Sequence, residues 1–140
     1  MSARTVVRHV VLDSEAVSAL LSRRPSDRRR AEVVLALAAA NGRAVVPTAV
    51  RVEAGWRRGD PRAAEANRLV TDDDVLDTPG ADRAVQLRRE VPGASPVDAA
   101  VAVAVERLPA GDVVEVLTSD VGDLRALTDL LAVRVDVRGL

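Results

Sequence analysis

Acidic side chains are the residues of this sequence best placed to do chemistry. Asp13, Asp98 and Asp120 lie next to predicted strand ends or helix starts, and Glu53 lies within a predicted helix. Grouped carboxylates repel one another and raise one another's pKa unless a cation lies between them. A bound divalent cation would keep them ionised, lower the pKa of a coordinated water and neutralise charge on a phosphodiester transition state. The residue types therefore indicate metal-assisted phosphoryl chemistry.

The composition excludes several other chemistries. The chain has no cysteine and a single histidine, His9, so thiol nucleophiles, thiolate metal sites and Ser-His catalysis are absent or poorly supplied. Oxygen ligands remain, and they favour Mg²⁺ or Mn²⁺. All 20 basic residues are arginine, and the net charge of −1 argues against strong nonspecific binding of nucleic acid by the whole surface. A local basic face remains compatible with nucleic-acid binding.

The length and hydrophobic pattern indicate one globular domain over residues 1–140. A chain of 140 residues with 48% hydrophobic residues can enclose a core, and no repeat or linker divides it. The N-terminal apolar run is too short for a signal peptide, and the apolar stretch 99–105 is too short to span a membrane. We therefore expect a cytoplasmic protein with no membrane association.

Strands and helices alternate along the predicted chain. β-branched runs predict strands at 5–12, 44–46, 75–77, 112–118 and 133–137. Helices are predicted at 16–22, from 25–27 to 41–42, at 48–58, from 60–61 onward, at 81–91, 95–105 and 123–131. This alternation predicts an α/β fold with a mainly parallel sheet covered on both faces, whose ligand site lies beyond the carboxyl ends of the strands.

The predicted topology brings the acidic residues to that edge of the sheet. Asp13 and Asp120 each follow a strand, and Asp98 lies in the first turn of a helix that should start at the same edge. In helix 48–58, residue spacing places Glu53 in one stripe with Val52 and Trp56. A glutamate within an apolar stripe is costly unless it is paired with a buried arginine or binds a cation.

Each of the aspartates also has a structural explanation that involves no ligand. Asp13 could be simply the cap of the helix that follows it, with no further role. Asp98 lies three residues after Ser95 and completes a capping-box pattern. Asp120 and Asp123 have the spacing of a cap and a first-turn acid, which would complement a helix dipole. The convergence of these residues at one edge is therefore more informative than any one of them.

Four short segments, in chain order, resemble the successive signatures of PIN domains. They are Val-Leu-Asp-Ser at 11–14, Val-Arg-Val-Glu-Ala at 50–54, Ser-Pro-Val-Asp-Ala-Ala at 95–100 and Thr-Ser-Asp-Val-Gly-Asp-Leu at 118–124. The sequence is most similar to the ribonuclease toxins of VapBC-type toxin–antitoxin pairs. Each fragment is short, but the ordered set covers essentially the whole chain.

The resemblance implies a three-layer α/β/α sandwich (PIN-like) and a metal-dependent endoribonuclease that uses Mg²⁺ or Mn²⁺. It also implies an RNA substrate, a homodimer and a cognate antitoxin that inserts a C-terminal segment near the site. By matching position, the implied catalytic and metal-binding acids are Asp13, Glu53, Asp98 and Asp120, with Asp123 as a weaker metal ligand acting through water. Ser119 and Ser14 are the implied polar groups beside these ligands.

Several further residues have two interpretations each. Glu15 departs from the small or uncharged residue commoner in the family, and it could join the cluster, although a helix-start role is preferred. Trp56 is expected in core or dimer packing, His9 in a structural role, and 72–74 in a solvated loop. Two arginine groups could contact RNA phosphates or form solvated, ion-paired faces. They are Arg23, Arg24, Arg28, Arg29 and Arg30, and Arg51, Arg57 and Arg58.

Three alternative functions compete with that of a nuclease toxin. A phosphorylation-switch domain of receiver type needs a lysine near its aspartate, and this chain has no lysine. A PIN-like binding module without catalysis would tolerate loss of the acids, but all four principal acids are present. A PIN nuclease that acts on DNA or in RNA maturation without an antitoxin remains open.

Overall fold

The computed structural model describes residues 5–24, 26–41 and 43–140, and all that follows concerns these residues. Five parallel strands form one sheet in the order β3-β2-β1-β4-β5. The strands are β1 (Arg8–Leu12), β2 (Ala44–Pro47), β3 (Asp72–Asp74), β4 (Val113–Thr118) and β5 (Arg134–Gly139). The predicted parallel α/β architecture is therefore confirmed.

Seven α-helices and one short 3₁₀ turn connect the strands. The helices are α1 (Ser14–Leu21), α2 (Arg28–Ala39), α3 (Thr48–Ala54), α4 (Ala64–Leu69), α5 (Thr78–Glu90), α6 (Pro96–Glu106) and α7 (Val121–Thr128), and the 3₁₀ turn is Pro61–Ala63. Among the described residues, none of these helices is long and apolar enough to cross a membrane.

The core is formed by the inner strands and by helix α6. Residues Val10, Val11 and Leu12 of β1 are fully buried, because β1 lies between β2 and β4 with helices on both faces. In α6, all residues from Asp98 to Val105 are buried, and their alanine and valine side chains let the helix pack closely. Asp98, in the first turn of this mostly apolar helix, is thus largely shielded from solvent and is 7% exposed.

The third strand lies earlier in the chain than predicted. Strand β3 is formed by Asp72, Asp73 and Asp74, so the prediction of a solvated loop at 72–74 and a strand at 75–77 was wrong. Because β3 is an edge strand, its acidic side chains reach solvent or arginines outside the sheet. The Asp73 carboxylate accepts from Arg58 Nη2 at 2.9 Å, and the Asp74 carboxylate lies 3.5 Å from Arg107 Nη1. These ion pairs offset the low strand propensity of aspartate.

Helix α3 is shorter than predicted, which changes the position of Glu53. The helix ends at Ala54 because Gly55 adopts a left-handed conformation with φ 72°. Val50 is buried, whereas Val52 is 83% exposed and Glu53 is exposed, so the predicted apolar stripe containing Glu53 was wrong. Trp56 lies beyond the helix and is only 3% exposed, and its Nε1 donates to Asn67 Oδ1 at 3.1 Å. Its predicted core packing is therefore confirmed.

Candidate metal centre

A polar cavity of about 270 Å³ lies at the carboxyl edge of the sheet, where β1 and β4 end. Six acidic residues line it, together with Ser14, Ser95 and Ser119: they are Asp13, Glu15, Glu53, Asp98, Asp120 and Asp123. All seven predicted site residues are thus brought to one cavity. In the described part of the chain, no arginine lines this cavity.

Asp13 is held rigidly at the start of α1. Its Oδ1 accepts from the Ser14 backbone N–H at 2.7 Å, and its Oδ2 accepts from Thr118 Oγ1 at 2.6 Å. The carboxylate is 5% exposed, and burial raises its pKa, while the two hydrogen bonds act in the opposite direction. Asp13 is therefore both the helix cap and a site residue, and the two interpretations of the sequence are compatible.

Thr118 is a contributor that the sequence analysis missed. It is fully buried at the end of β4, donates through Oγ1 to Asp13 and accepts there from the Asp120 backbone N–H at 2.9 Å. One hydroxyl thus fixes the positions of two acidic residues from different segments. The available signal was a polar β-branched residue that ends an otherwise apolar buried strand, two residues before an aspartate.

Asp98 is the most perturbed of the acids. It forms a capping box at the start of α6, with its Oδ2 accepting from the Ser95 N–H at 3.3 Å and its own N–H donating to Ser95 Oγ at 3.0 Å. Burial raises the pKa of Asp98 to about 6, and the negative charges of Asp13 and Asp120 contribute in the same direction. At neutral pH the protein thus holds a buried carboxylate at a cost in free energy.

Asp98, Asp120 and Asp123 approach one another most closely. Each offers a carboxylate oxygen, and these oxygens all lie within 4.8 Å of one another. Asp120 caps α7, where its Oδ1 accepts from the Asp123 N–H at 3.4 Å, and its charge raises the pKa of Asp123. In the described residues, Asp123 therefore belongs to the tightest acidic group, although the sequence ranked it as the weaker ligand.

Glu53 and Glu15 both line the cavity, but only Glu15 has an ion-pair partner among the described residues. The exposed Glu53 carboxylate accepts a short hydrogen bond from Ser14 Oγ, so Ser14 joins α1 to α3 at the site. Glu15 also lines the cavity, but its Oε2 lies 3.2 Å from Arg29 Nη1 in an ion pair. Glu53 is thus directed towards the cluster by an uncharged neighbour, whereas the charge of Glu15 is already balanced.

The residues present fit a hard divalent cation. The donors are carboxylate and hydroxyl oxygens, which suit Mg²⁺ or Mn²⁺. Helices α1, α6 and α7 begin at this cavity, capped by Asp13, Ser95 and Asp120, and their positive dipole ends compensate only part of the carboxylate charge. Burial, with the repulsion of Asp13 and Asp120 beside it, raises the pKa of Asp98, and a cation between the carboxylates would offset both effects.

The fold of this chain is similar to that of chains in solved structures. No family model and no curated protein matches this chain. A chain of FitAcB from Neisseria gonorrhoeae matches with a TM-score of 0.60 at 19% identity, over 91% of this chain and 96% of that one. A chain from the structure of FitAB bound to an IR36 DNA fragment matches with a TM-score of 0.54 at 19% identity, over 91% of this chain and 94% of that one. The predicted α/β/α sandwich with a parallel central sheet is therefore confirmed.

Proposed function

We propose that this chain is a metal-dependent endoribonuclease of the PIN type, acting as the toxin of a type II toxin–antitoxin pair. The observation that supports the chemistry is the approach of three carboxylate oxygens, from Asp98, Asp120 and Asp123, to within 4.8 Å of one another. The cavity holds no histidine or cysteine, so metal-assisted hydrolysis of a phosphodiester suits its residues better than acyl transfer.

Each acidic residue would have a distinct part in binding Mg²⁺ or Mn²⁺. Asp98 and Asp120 supply ligand oxygens from two helix starts, and Asp123 supplies a third, directly or through a water molecule. Asp13 is held in one orientation by Thr118, and Glu53 by Ser14. When bound, the cation would supply a water of lowered pKa and charge neutralisation at the phosphate. Ser119, exposed beside Asp120 in the lining of the cavity, would hydrogen-bond such a water.

The toxin assignment is supported by two independent likenesses. The ordered sequence segments resemble VapBC-type toxins, and the fold resembles chains in FitAcB and in FitAB bound to DNA. On this basis we propose a cognate antitoxin and a homodimer as partners. Val52 and Val75, which are 83% and 62% exposed, are apolar side chains that a second copy would shield from solvent. Light scattering on the purified chain measures the oligomeric state.

The test is cleavage of single-stranded and structured RNA by purified, antitoxin-free protein with Mg²⁺, Mn²⁺ or EDTA. We expect cutting that needs metal and is lost in Asp98→Asn, which keeps the shape of the side chain and removes its charge. Asp129→Asn is the matched control, because Asp129 is exposed at the far end of α7. Folded protein that cuts no RNA with either metal would favour a PIN-like binding module without catalysis. Cutting without any antitoxin gene nearby would favour an unpaired PIN nuclease.

A further inference from the structure

The structure divides the arginines near the metal centre into two groups. Most of those predicted to contact RNA are already engaged by acidic side chains. The engaged group consists of Arg28 with Glu32, Arg29 with Glu15, Arg30 with Glu65, and Arg51 and Arg58 with Asp73. Each of these arginines already has an acidic partner in the protein, although Arg51 and Arg58 share one carboxylate, so they are poorer candidates for an external anion than arginines without such a partner.

A second group is gathered around one cavity without acidic partners. Arg23, Arg57 and Arg62 line a cavity of about 300 Å³, here called the arginine cavity, and all three are exposed. Within the described ranges, none of their side chains forms an ion pair. Asp60 also lines the cavity, but its Oδ1 accepts from the Arg62 backbone N–H at 2.9 Å as the cap of the 3₁₀ turn.

The charge of the arginine cavity contrasts with that of the whole chain. The chain carries a net charge of −1, yet two segments, one with Arg23 and one with Arg57 and Arg62, bring three arginines to one concave site that a single acidic residue also lines. Converging like charges raise the local potential and favour an anionic partner. The planar guanidinium suits phosphate oxygens in particular, because it can donate two parallel hydrogen bonds.

The arginine cavity and the metal centre lie along the same two helices. Ser14 lines the metal centre and Leu21 lines the arginine cavity, seven residues further along α1, which corresponds to roughly 10 Å of helix. On the α3 side, Glu53 lines the metal centre and Gly55 lines the arginine cavity. An extended polymer a few nucleotides long would therefore reach both sites at once.

The aromatic residue at this cavity is not available for stacking. Trp56 lines the arginine cavity, but it is 3% exposed, and its ring lies 4.3 Å from the guanidinium carbon of Arg58 and 5.6 Å from that of Arg51. A nucleotide base would have no open ring face on which to stack. Contacts at this cavity would therefore be made to phosphates, which carry no direct sequence information.

From these observations, we propose that single-stranded RNA bound at the metal centre continues over the α1–α3 surface, with phosphates on Arg23, Arg57 and Arg62. The inference rests on the proposed function for the identity of the strand as RNA. The arginine cavity supplies affinity, and it does so equally for any base sequence. It acts as an anchoring surface for the strand, distinct from the carboxylates at which cleavage would occur.

The test measures RNA binding separately from cleavage. Fluorescence anisotropy of labelled single-stranded RNAs of two unrelated sequences is followed over a salt titration in EDTA, in the Asp98→Asn background. Arg23→Gln, Arg57→Gln, Arg62→Gln and the triple variant are compared with Arg43→Gln. Arg43 is an exposed arginine that precedes β2 and so lies at the opposite edge of the sheet. Circular dichroism verifies that each variant is folded.

We expect the slope of log affinity against log salt to fall by about 0.7 for each cavity arginine removed, equally for both RNAs, and to stay unchanged in Arg43→Gln. The same salt dependence, found together with a wild-type protein that cuts no RNA with Mg²⁺ or Mn²⁺, would support the arginine cavity and refute the nuclease. Equal slopes in the triple variant and Arg43→Gln, or a loss confined to one RNA, would overturn the proposal. So would unchanged RNA binding with loss of affinity for a glutamate-rich peptide, which would assign the cavity to a protein partner.

Discussion

Replacing the buried carboxylate of Asp98 by an amide should stabilise the metal-free protein while removing its response to metal. Asp98→Asn keeps the acceptor for the Ser95 N–H and the backbone donor to Ser95 Oγ, so the capping box survives. The substitution removes the charge that burial and the neighbouring aspartates disfavour. Stability should therefore rise although a residue proposed for catalysis is lost.

The size of the effect follows from the shift in pKa. A rise from 3.8 to about 6 is roughly two pKa units, or about 3 kcal/mol at 1.36 kcal/mol per unit. The carboxylate faces an open polar cavity, so solvent screening reduces this to about 1–2 kcal/mol. For a chain of this size, such a change raises Tm by roughly 4–8 °C.

The sign of the pH dependence provides the sharpest check. Because the folded-state pKa of Asp98 lies above its unfolded value, the native state binds more protons between 3.8 and about 6. Its ionisation therefore lowers the stability of the wild type as pH rises through that window, with no further change above it. The advantage of Asp98→Asn should be full at neutral pH and shrink towards zero at about pH 4.

Thermal unfolding in EDTA across this pH range, followed by differential scanning fluorimetry, measures the difference between the two proteins. Excess Mg²⁺ should raise the wild-type Tm, because binding at a hundredfold excess over Kd adds about 2.7 kcal/mol to the free energy of unfolding. The Tm of Asp98→Asn should not change with Mg²⁺. A variant that is less stable than wild type at neutral pH without metal would refute the reasoning. Asp129→Asn should match the wild type both in its metal-free stability and in its response to Mg²⁺, because Asp129 is exposed outside the cavity.

Three other substitutions test separate parts of the structure. Thr118→Val should lower the free energy of unfolding in urea by about 1–3 kcal/mol and reduce RNA cleavage, because Asp13 and the Asp120 N–H lose their shared hydroxyl. Thr118→Ser keeps the hydroxyl and should retain both stability and cleavage. Glu53→Gln should weaken metal binding in calorimetry and leave stability within about 0.5 kcal/mol, since the side chain is exposed. Asp73→Asn should destabilise by up to about 1 kcal/mol per ion pair lost, with a loss that shrinks in high salt.

Each of these three predictions has an outcome that contradicts it. Equal activity and stability in Thr118→Val would show that the hydroxyl does not position the aspartates. Unchanged metal affinity in Glu53→Gln would remove this residue from the set of ligands. A salt-independent loss in Asp73→Asn would mean that the aspartate stabilises β3 through its backbone conformation and not through arginine.

The parallel sheet and its acidic edge could be predicted because both depend on local patterns. Asp13 and Asp120 follow β-branched runs, and the parallel direction of β1 and β4 then places them together. Asp98 follows a serine–proline helix start, which fixes its position in the first turn. In each case the residue type, the strand or helix boundary and the sheet direction gave one consistent answer.

The features that could not be predicted depend on contacts between distant segments. Strand β3 consists of aspartates, and only arginines 15 to 33 residues away make that conformation favourable. The predicted end of α3 at residue 58 was wrong for a different reason. Gly55 is a local signal for a helix end, but the spacing of the apolar residues favoured a longer helix. The role of Thr118 needed the register of β1 against β4, which pairs Leu12 with Leu117.

The charged outer strands also determine how the sheet behaves towards other chains. Both edges are occupied by strands with charged side chains, the three-residue acidic β3 on one side and β5, with Arg134, Asp136 and Arg138, on the other. An incoming strand that paired with β3 would have to bury aspartates against its own backbone, and pairing with β5 would desolvate charges of both signs. Although the chain is rich in valine, and so has segments suited to strand stacking, both outer strands of the described sheet carry charged side chains, which oppose aggregation through strand pairing.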